Sequence, residues 1–423
     1  MTRARPADRP VDSAVRDVLA AGPTAALRGA VAALVVAASG QAPPFLVGLV
    51  GGGLAVVTQL RVGWLYTMAG HAVSITATGS GGSVAGLGGV FDLRLGMLTI
   101  AALGVAMLVT GARATARRVH DVGARRPLAG ATIALPYAAL LGAVNAAVDL
   151  RLRAGGGFLP ASTSIAASVG EGFLLPGALA LVAGALGGWS TSTSWHRPVA
   201  LGVRAGLRAF AWAIAFSLVG LLAFAALRPA GLERYVDEVT SGGPARAALY
   251  LGHQALTLPD QAMWVLAPSM GGCVSLRIDP AAHDVICLDR LPRGPDPATW
   301  LLTELGRVEG VPSTEPSPAV TWLFLAVPVA AIWLGFRGPV GAIPPSVRVA
   351  LARTAAGGAV FATLVTLTSM AGSLWMSLRE GDDLRTVAIG PDPISTAILA
   401  LVWGVGGGAA VSMLGSLLGR LSR

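Results

Sequence analysis

Four ionisable side chains, Arg61, Glu171, His253 and Asp260, stand within or at the edges of long apolar stretches. A charge at mid-bilayer costs roughly 2.5–3.5 kcal/mol on insertion scales, so such residues are functional suspects. They could bind a proton or an ion, or they could lock two helices together as a structural ion pair. Pairing Arg61 with Glu171 or Asp260 would offset the burial of both charges. The structural reading is preferred, because the mid-membrane parts of the last three apolar stretches contain no acid. Asp92, Arg94 and Asp149 are placed at helix ends. A second pair, Cys273 and Cys287, comprises the only cysteines of the chain. On the oxidising side of a bacterial membrane they can form a disulfide, which on the chain-entropy argument would stabilise that loop by ~3 kcal/mol. A metal site is the weaker alternative, since His283 is the one histidine between them and no fourth ligand is evident.

No enzyme signature is present. There is no His-Glu-x-x-His helix, no Gly-x-Ser-x-Gly elbow and no intramembrane aspartate pair. Ser74, Ser162, Thr163 and Ser164 fall in loops or at helix ends, and His71 is the only base near Ser74. The glycine-rich run from Gly79 to Gly89 lacks the Lys and Ser/Thr of a phosphate loop and reads as a flexible external loop. A non-catalytic protein without a cofactor is expected.

Apolar runs of about twenty residues, each long enough to cross the hydrocarbon core, recur along all 423 residues. They are read as spans at 45–69, 92–112, 128–149, 168–189, 207–227, 319–336, 354–376 and 395–418. The expected fold is therefore all-α: a polytopic transmembrane helical bundle of about eight crossings. Residues 1–28 form an amphipathic cytoplasmic lead, and 29–423 a single membrane domain. Segment 245–272 does not fit this pattern. Pro259, Pro268, His253, Asp260 and Gln261 interrupt it, so it is expected to be broken and to re-enter or lie along the outer surface, buried in protein or lining a wet cavity. The largest polar piece, 273–318, follows as an external loop.

Every one of the 31 basic residues is Arg, and the arginines gather in alternate gaps between spans. The gaps assigned to the cytoplasm hold 18 of them, in shorter loops, which places both termini in the cytoplasm of a bacterial cell with the protein in its plasma membrane. Arginines that flank apolar helices without interleaved aromatics argue against nucleic acid as a partner. Glycines four apart, as in Gly48/Gly52 and Gly404/Gly408, read as ordinary membrane packing faces. Three spans open alike, at Leu27-Arg28-Gly29, Leu207-Arg208-Ala209 and Ala352-Arg353-Thr354. Arginines snorkelling to headgroups account for this echo, with an internal duplication as the alternative.

The run Trp64-Leu65-Tyr66-Thr67-Met68-Ala69-Gly70-His71 precedes a small-residue loop and a helix closing on Arg113-Ala114-Thr115-Ala116-Arg117-Arg118. Later, Leu258-Pro259-Asp260-Gln261-Ala262-Met263-Trp264 leads into the turn Pro268 to Gly272, and a further helix ends Gly335-Phe336-Arg337-Gly338-Pro339. This order of parts resembles the actinobacterial PerM-like membrane proteins, which are associated with cell division and envelope integrity. The resemblance implies a scaffold or regulator whose partners are the lipid bilayer and membrane proteins of the envelope or division machinery. It supplies no catalytic residue. Asp260 stands where the family tends toward Asn, and the Cys273/Cys287 loop is an addition to its pattern. The alternative expectation is a small-molecule or ion-coupled transporter with its site at 245–272.

Overall fold

Stretches rich in Ala, Leu and Val favour helix, and in hydrocarbon only a helix or a closed barrel satisfies the backbone. In the computed structural model, which describes residues 10–51, 55–79, 90–94, 96–120, 125–152, 163–191, 197–227, 237, 240–278, 281–292, 314–316, 319–337, 347–380 and 383–421, helices dominate. The chain begins with α1 (Pro10–Gly40), α2 (Ala42–Leu49) and α3 (Val56–Ala69), followed by strands β1 (Ile75–Gly79) and β2 (Val90–Arg94). Next come α4 (Leu98–Ala116), α5 (Arg125–Ala131), α6 (Ala134–Ala147), strands β3 (Leu150–Leu152) and β4 (Thr163–Ala167), and α7 (Val169–Trp189).

The same order then recurs. Helices α8 (Arg197–Leu227) and α9 (Gly243–Ser269) lead to β5 (Val274–Ile278) and β6 (Ala281–Ile286). A separate ribbon of β7 (Arg290–Pro292) and β8 (Thr314–Pro316) intervenes before a 3-10 segment, Ala319–Leu325, and α10 (Ala326–Phe336). Helix α11 (Val347–Ala371), strands β9 (Leu374–Glu380) and β10 (Asp383–Pro391), and α12 (Pro393–Leu401) follow; α12 continues through a π-helical stretch, Val402–Gly407, into α13 (Gly408–Leu421).

Among the described residues seven helices are long and apolar enough to cross a membrane. They are Leu19–Gly40, Leu98–Ala116, Arg125–Ala147, Val169–Trp189, Val199–Ala223, Val349–Ala371 and Pro393–Leu414, and Thr321–Phe336 is a shorter apolar helix. A multi-pass membrane protein is the architecture these helices describe. The first of them is not the expected span at 45–69. Helix α1 runs without interruption through residue 28, whereas the 45–69 region is two helices: Pro43 and Pro44 open α2, and the turn at its end passes through Gly51, whose positive φ only glycine adopts without strain.

The bundle also carries a sheet that the all-α expectation did not include. Eight strands lie in the order β3-β4-β1-β2-β9-β10-β5-β6, antiparallel throughout. Each hairpin joins consecutive helices of the bundle. The run from Gly79 to Gly89, expected as a flexible loop, lies outside the described residues apart from Gly79 at the end of β1, and the strands β1 and β2 flank it. Part of the expected 273–318 loop is likewise ordered as strands.

Each half has its own core. Ala32, Ala33, Tyr137, Leu141 and Ala180 pack together in the first, and Ala209, Met263, Ile332, Phe361 and Val365 in the second. Gly404 meets Gly358, where a Cβ on either residue would strike the other helix, so this small-residue face is used within the chain. The halves also share a polar tie. Trp64, near the end of α3, donates from Nε1 to Asn145 Oδ1 at the end of α6 (3.1 Å), and Trp264, near the end of α9, donates to the Gly372 carbonyl just past α11 (3.1 Å). Trp64→Phe and Trp264→Phe should each lower the unfolding free energy by about 1 kcal/mol, measured by chemical denaturation in detergent micelles.

Candidate functional site

Met97, the residue before α4, supplies no side-chain cap, and the orphan amide of Leu98 is served from another helix. Asp260 Oδ2 of α9 accepts from Leu98 N at 3.2 Å in a buried setting. This carboxyl oxygen thus lies at the positive end of the α4 dipole. The other oxygen, Oδ1, has no hydrogen-bond partner among the described residues.

Segment 245–272 is not broken, contrary to expectation: α9 runs continuously through Pro259 and Pro268. Proline removes an i→i−4 bond, which at Pro259 frees the Ala255 carbonyl. Thr99 Oγ1 donates to that carbonyl at 3.2 Å. A neighbouring helix therefore supplies what the proline withholds, and the helix survives.

Glu171 lies at the start of α7, where Ser168 Oγ caps its amide (3.4 Å). The Glu171 carboxylate accepts from Ser74 N at 2.8 Å and Ser74 Oγ at 2.7 Å, and it is ion-paired with Arg94 at the end of β2. Ser168 N in turn donates to the Ser74 carbonyl at 2.9 Å. Ser74 and Ser168 thus clip the end of the β1–β4 pairing to the α7 terminus. The Arg94 guanidinium also lies over the Trp375 ring, 5.6 Å from its centroid, and so reaches across to β9.

His71 occupies the turn between α3 and β1, buried. Its Nδ1 is 2.8 Å from the Thr67 carbonyl and its Nε2 is 2.7 Å from the Tyr137 hydroxyl. A carbonyl only accepts, so Nδ1 carries the proton, and the Tyr137 hydroxyl donates to Nε2. Burial pushes the His71 pKa down to about 4, opposed by the Thr67 bond. With both ring nitrogens engaged and Ser74 Oγ turned to Glu171, the two form no nucleophile–base pair.

The four suspects are therefore not gathered into one site. Arg61 is partly exposed on α3 and, among the described residues, pairs with neither Glu171 nor Asp260; the expected partnership is replaced by Arg94–Glu171 and by the α4 amide. His253 stands edge-on to Tyr66 with ring centroids 6.0 Å apart. Cys273 and Cys287 are joined as a disulfide. Asp284 lies close to both sulfurs, but a disulfide offers no thiolate, and Asp284 accepts from Ser275 Oγ at 2.8 Å. Sequence reasoning missed Ser74, Thr99 and Arg94 as partners. The Ser168-x-x-Glu171 capping box was visible as a signal; the other contacts are long-range.

No protein-family model matches the chain, and no curated protein or solved structure matches it.

Asp260→Ala should cost about 1–3 kcal/mol, because it strips a buried amide of its only acceptor, whereas Asp260→Asn keeps an acceptor and should cost less; thermal unfolding in detergent compares them. For His71, the folded pKa lies below the ordinary 6.5, so the unfolded state binds the extra proton between pH 6.5 and about 4. Stability should fall as pH drops through that window and level off below it. His71→Gln should flatten that part of the stability–pH curve.

Proposed function

We propose that the chain is a non-catalytic multi-pass protein of the bacterial plasma membrane that acts as a scaffold or regulator in the cell envelope or division machinery. The observation that carries this reading is where its ionisable groups are used. Asp260 caps α4, Glu171 clips β1 and α7, and Asp392 caps α12 by accepting from Ser395 N (2.8 Å) while paired with Arg277 of β5. Glu171 and Asp392 fasten helix ends to the sheet and Asp260 fastens one helix end to another helix, where a proton-coupled carrier would place acids deep along several helices. The resemblance to PerM-like proteins supports the envelope or division role.

Counting Thr321–Phe336 with the seven longer helices gives eight crossings. In this arrangement the sheet lies outside, and the termini lie in the cytoplasm beside the arginine clusters. The disulfide at β5 and β6 supports this orientation, since such bonds persist on the oxidising side. Helix α9 then lies with the sheet on the outer side, its end running directly into β5. A membrane-impermeant maleimide applied to intact cells should label Cys273 and Cys287 only after reduction. Labelling that requires opened cells would reverse the orientation.

A specific observation favours a rival: the partnerless Asp260 Oδ1 is a buried acceptor that a transported proton or ion could occupy. Two measurements separate the readings. Vesicles reconstituted with the purified protein should show no proton or ion flux attributable to it. Asp260→Asn should restore normal septation and envelope integrity to a deletion strain as well as the unaltered chain does. Flux that is lost in Asp260→Asn would make the protein a transporter.

A further inference from the structure

The two halves meet along a seam with a strand part and a helix part. In the strand part β2 pairs with β9, from Val90 opposite Arg379 to Arg94 opposite Trp375. In the helix part the middle of α9 lies against the start of α4. Leu256 packs with Met97 and Ile100, the Ala255 carbonyl accepts from Thr99, and Asp260 takes the Leu98 amide.

Because the element order repeats, every group in this seam has a counterpart. Trp64 and Trp264 stand five residues before the ends of α3 and α9, at Ala69 and Ser269. Counted from these tryptophans, Val56 and Leu60 correspond to Leu256 and Asp260. Gly111 lies against Arg28 of α1, and Gly335 against Ala209 of α8. Counted from these glycines, Trp322 and Leu323 correspond to Leu98 and Thr99. In the sheet, β6 holds the place of β2, and β3 that of β9.

Most of this second set of seam groups is unmated, although Thr321, the counterpart of Met97, is buried and donates to the Leu288 carbonyl. Among the described residues β3 and β6 are the two outer strands of the eight-stranded sheet, each with one neighbour. Val56 and Leu60 are 69% and 56% exposed, and Trp322 and Leu323 are 52% and 70% exposed. The carboxylate that Asp260 brings to the internal seam is replaced by the apolar side chain of Leu60. Open strand edges are templates for pairing with another chain, and Leu60 with Trp322 would bury apolar surface beside that edge.

We propose that a second copy of this chain fills the vacant seam: β6 and the Trp322 end of one copy meet β3 and α3 of the next, head to tail, as β2 and α4 meet β9 and α9 within the chain. The contact is heterologous, so assembly closes into a ring where the rotation permits and otherwise extends. The inference needs the membrane reading but not the identity of any envelope partner.

The native cysteines are paired and no free cysteine is present, so single-cysteine variants give a clean test in native membranes. Leu60→Cys and Trp322→Cys are placed in two differently tagged, co-expressed full-length copies and treated with a short bis-maleimide. The expected result is an adduct carrying both tags. An adduct confined to one chain in the Leu60→Cys/Trp322→Cys double variant, with no cross-tag product, would overturn the proposal by showing that the seam closes within the chain. No adduct of either kind, together with a single-chain mass by native mass spectrometry, would also overturn it and assign the face to lipid. Trp322→Glu should shift the assembled mass to that of one chain while the Cys273–Cys287 bond still forms, which shows that the variant folds.

Discussion

A helix leaving an apolar bundle exposes amides that its own backbone cannot satisfy, and in this protein other segments answer them. Helix α4 begins after a methionine that caps nothing and takes its acceptor from Asp260, a residue far along the chain. Helix α9 contains a proline that orphans a carbonyl and takes its donor from Thr99 of α4. The two helices repair each other's defects, and this exchange sits beside the β2–β9 ladder that holds the two cores side by side. Loss of the Asp260 repair would leave a buried amide unserved. The buried Asp260 carboxyl is therefore accounted for, in one of its two oxygens, by the unserved amide at the start of α4.

Much of the architecture was legible in the chain because hydrophobic length and arginine spacing are strong, local signals. Residues 168–189 and 207–227 read directly as helices, and α7 and α8 cover them. The sheet was not legible for a physical reason. Its strands are short, β3 only three residues long, and are built from small and polar residues such as Thr76, Ser164 and Ser275 that also favour turns. Alternation over so few positions cannot be told from loop sequence until partners are known, and the pairings that join the hairpins into one sheet are between distant strands. The prolines of α9 misled for a similar reason: breakage was the correct local inference, and the compensating hydroxyl belongs to another helix.

The site reading divides along the same line. Glu171 and Asp260 stood out because charge is conspicuous among apolar residues, but their partners are a backbone amide, a serine and Arg94, which no spacing rule connects to them. Arg61 drew attention on composition alone. The repeat left only a faint trace in sequence: Arg28 of α1 meets Gly111 where Ala209, the neighbour of Arg208 in α8, meets Gly335, whereas Arg353 lies within α11 and belongs to a different position of the repeat. What the halves share is an order of parts and two indole bonds.

Both halves deliver their hairpins to one sheet, and so both enter the bundle with the same sense rather than upside down relative to each other. Inverted repeats need an ancestor able to insert in either direction, or an added helix to turn one half over. Parallel repeats need neither. A gene for half of this protein would have encoded a chain with the orientation and exposed edges of the present one, already equipped to line up beside its own kind, and joining two such genes end to end would have required only a linker.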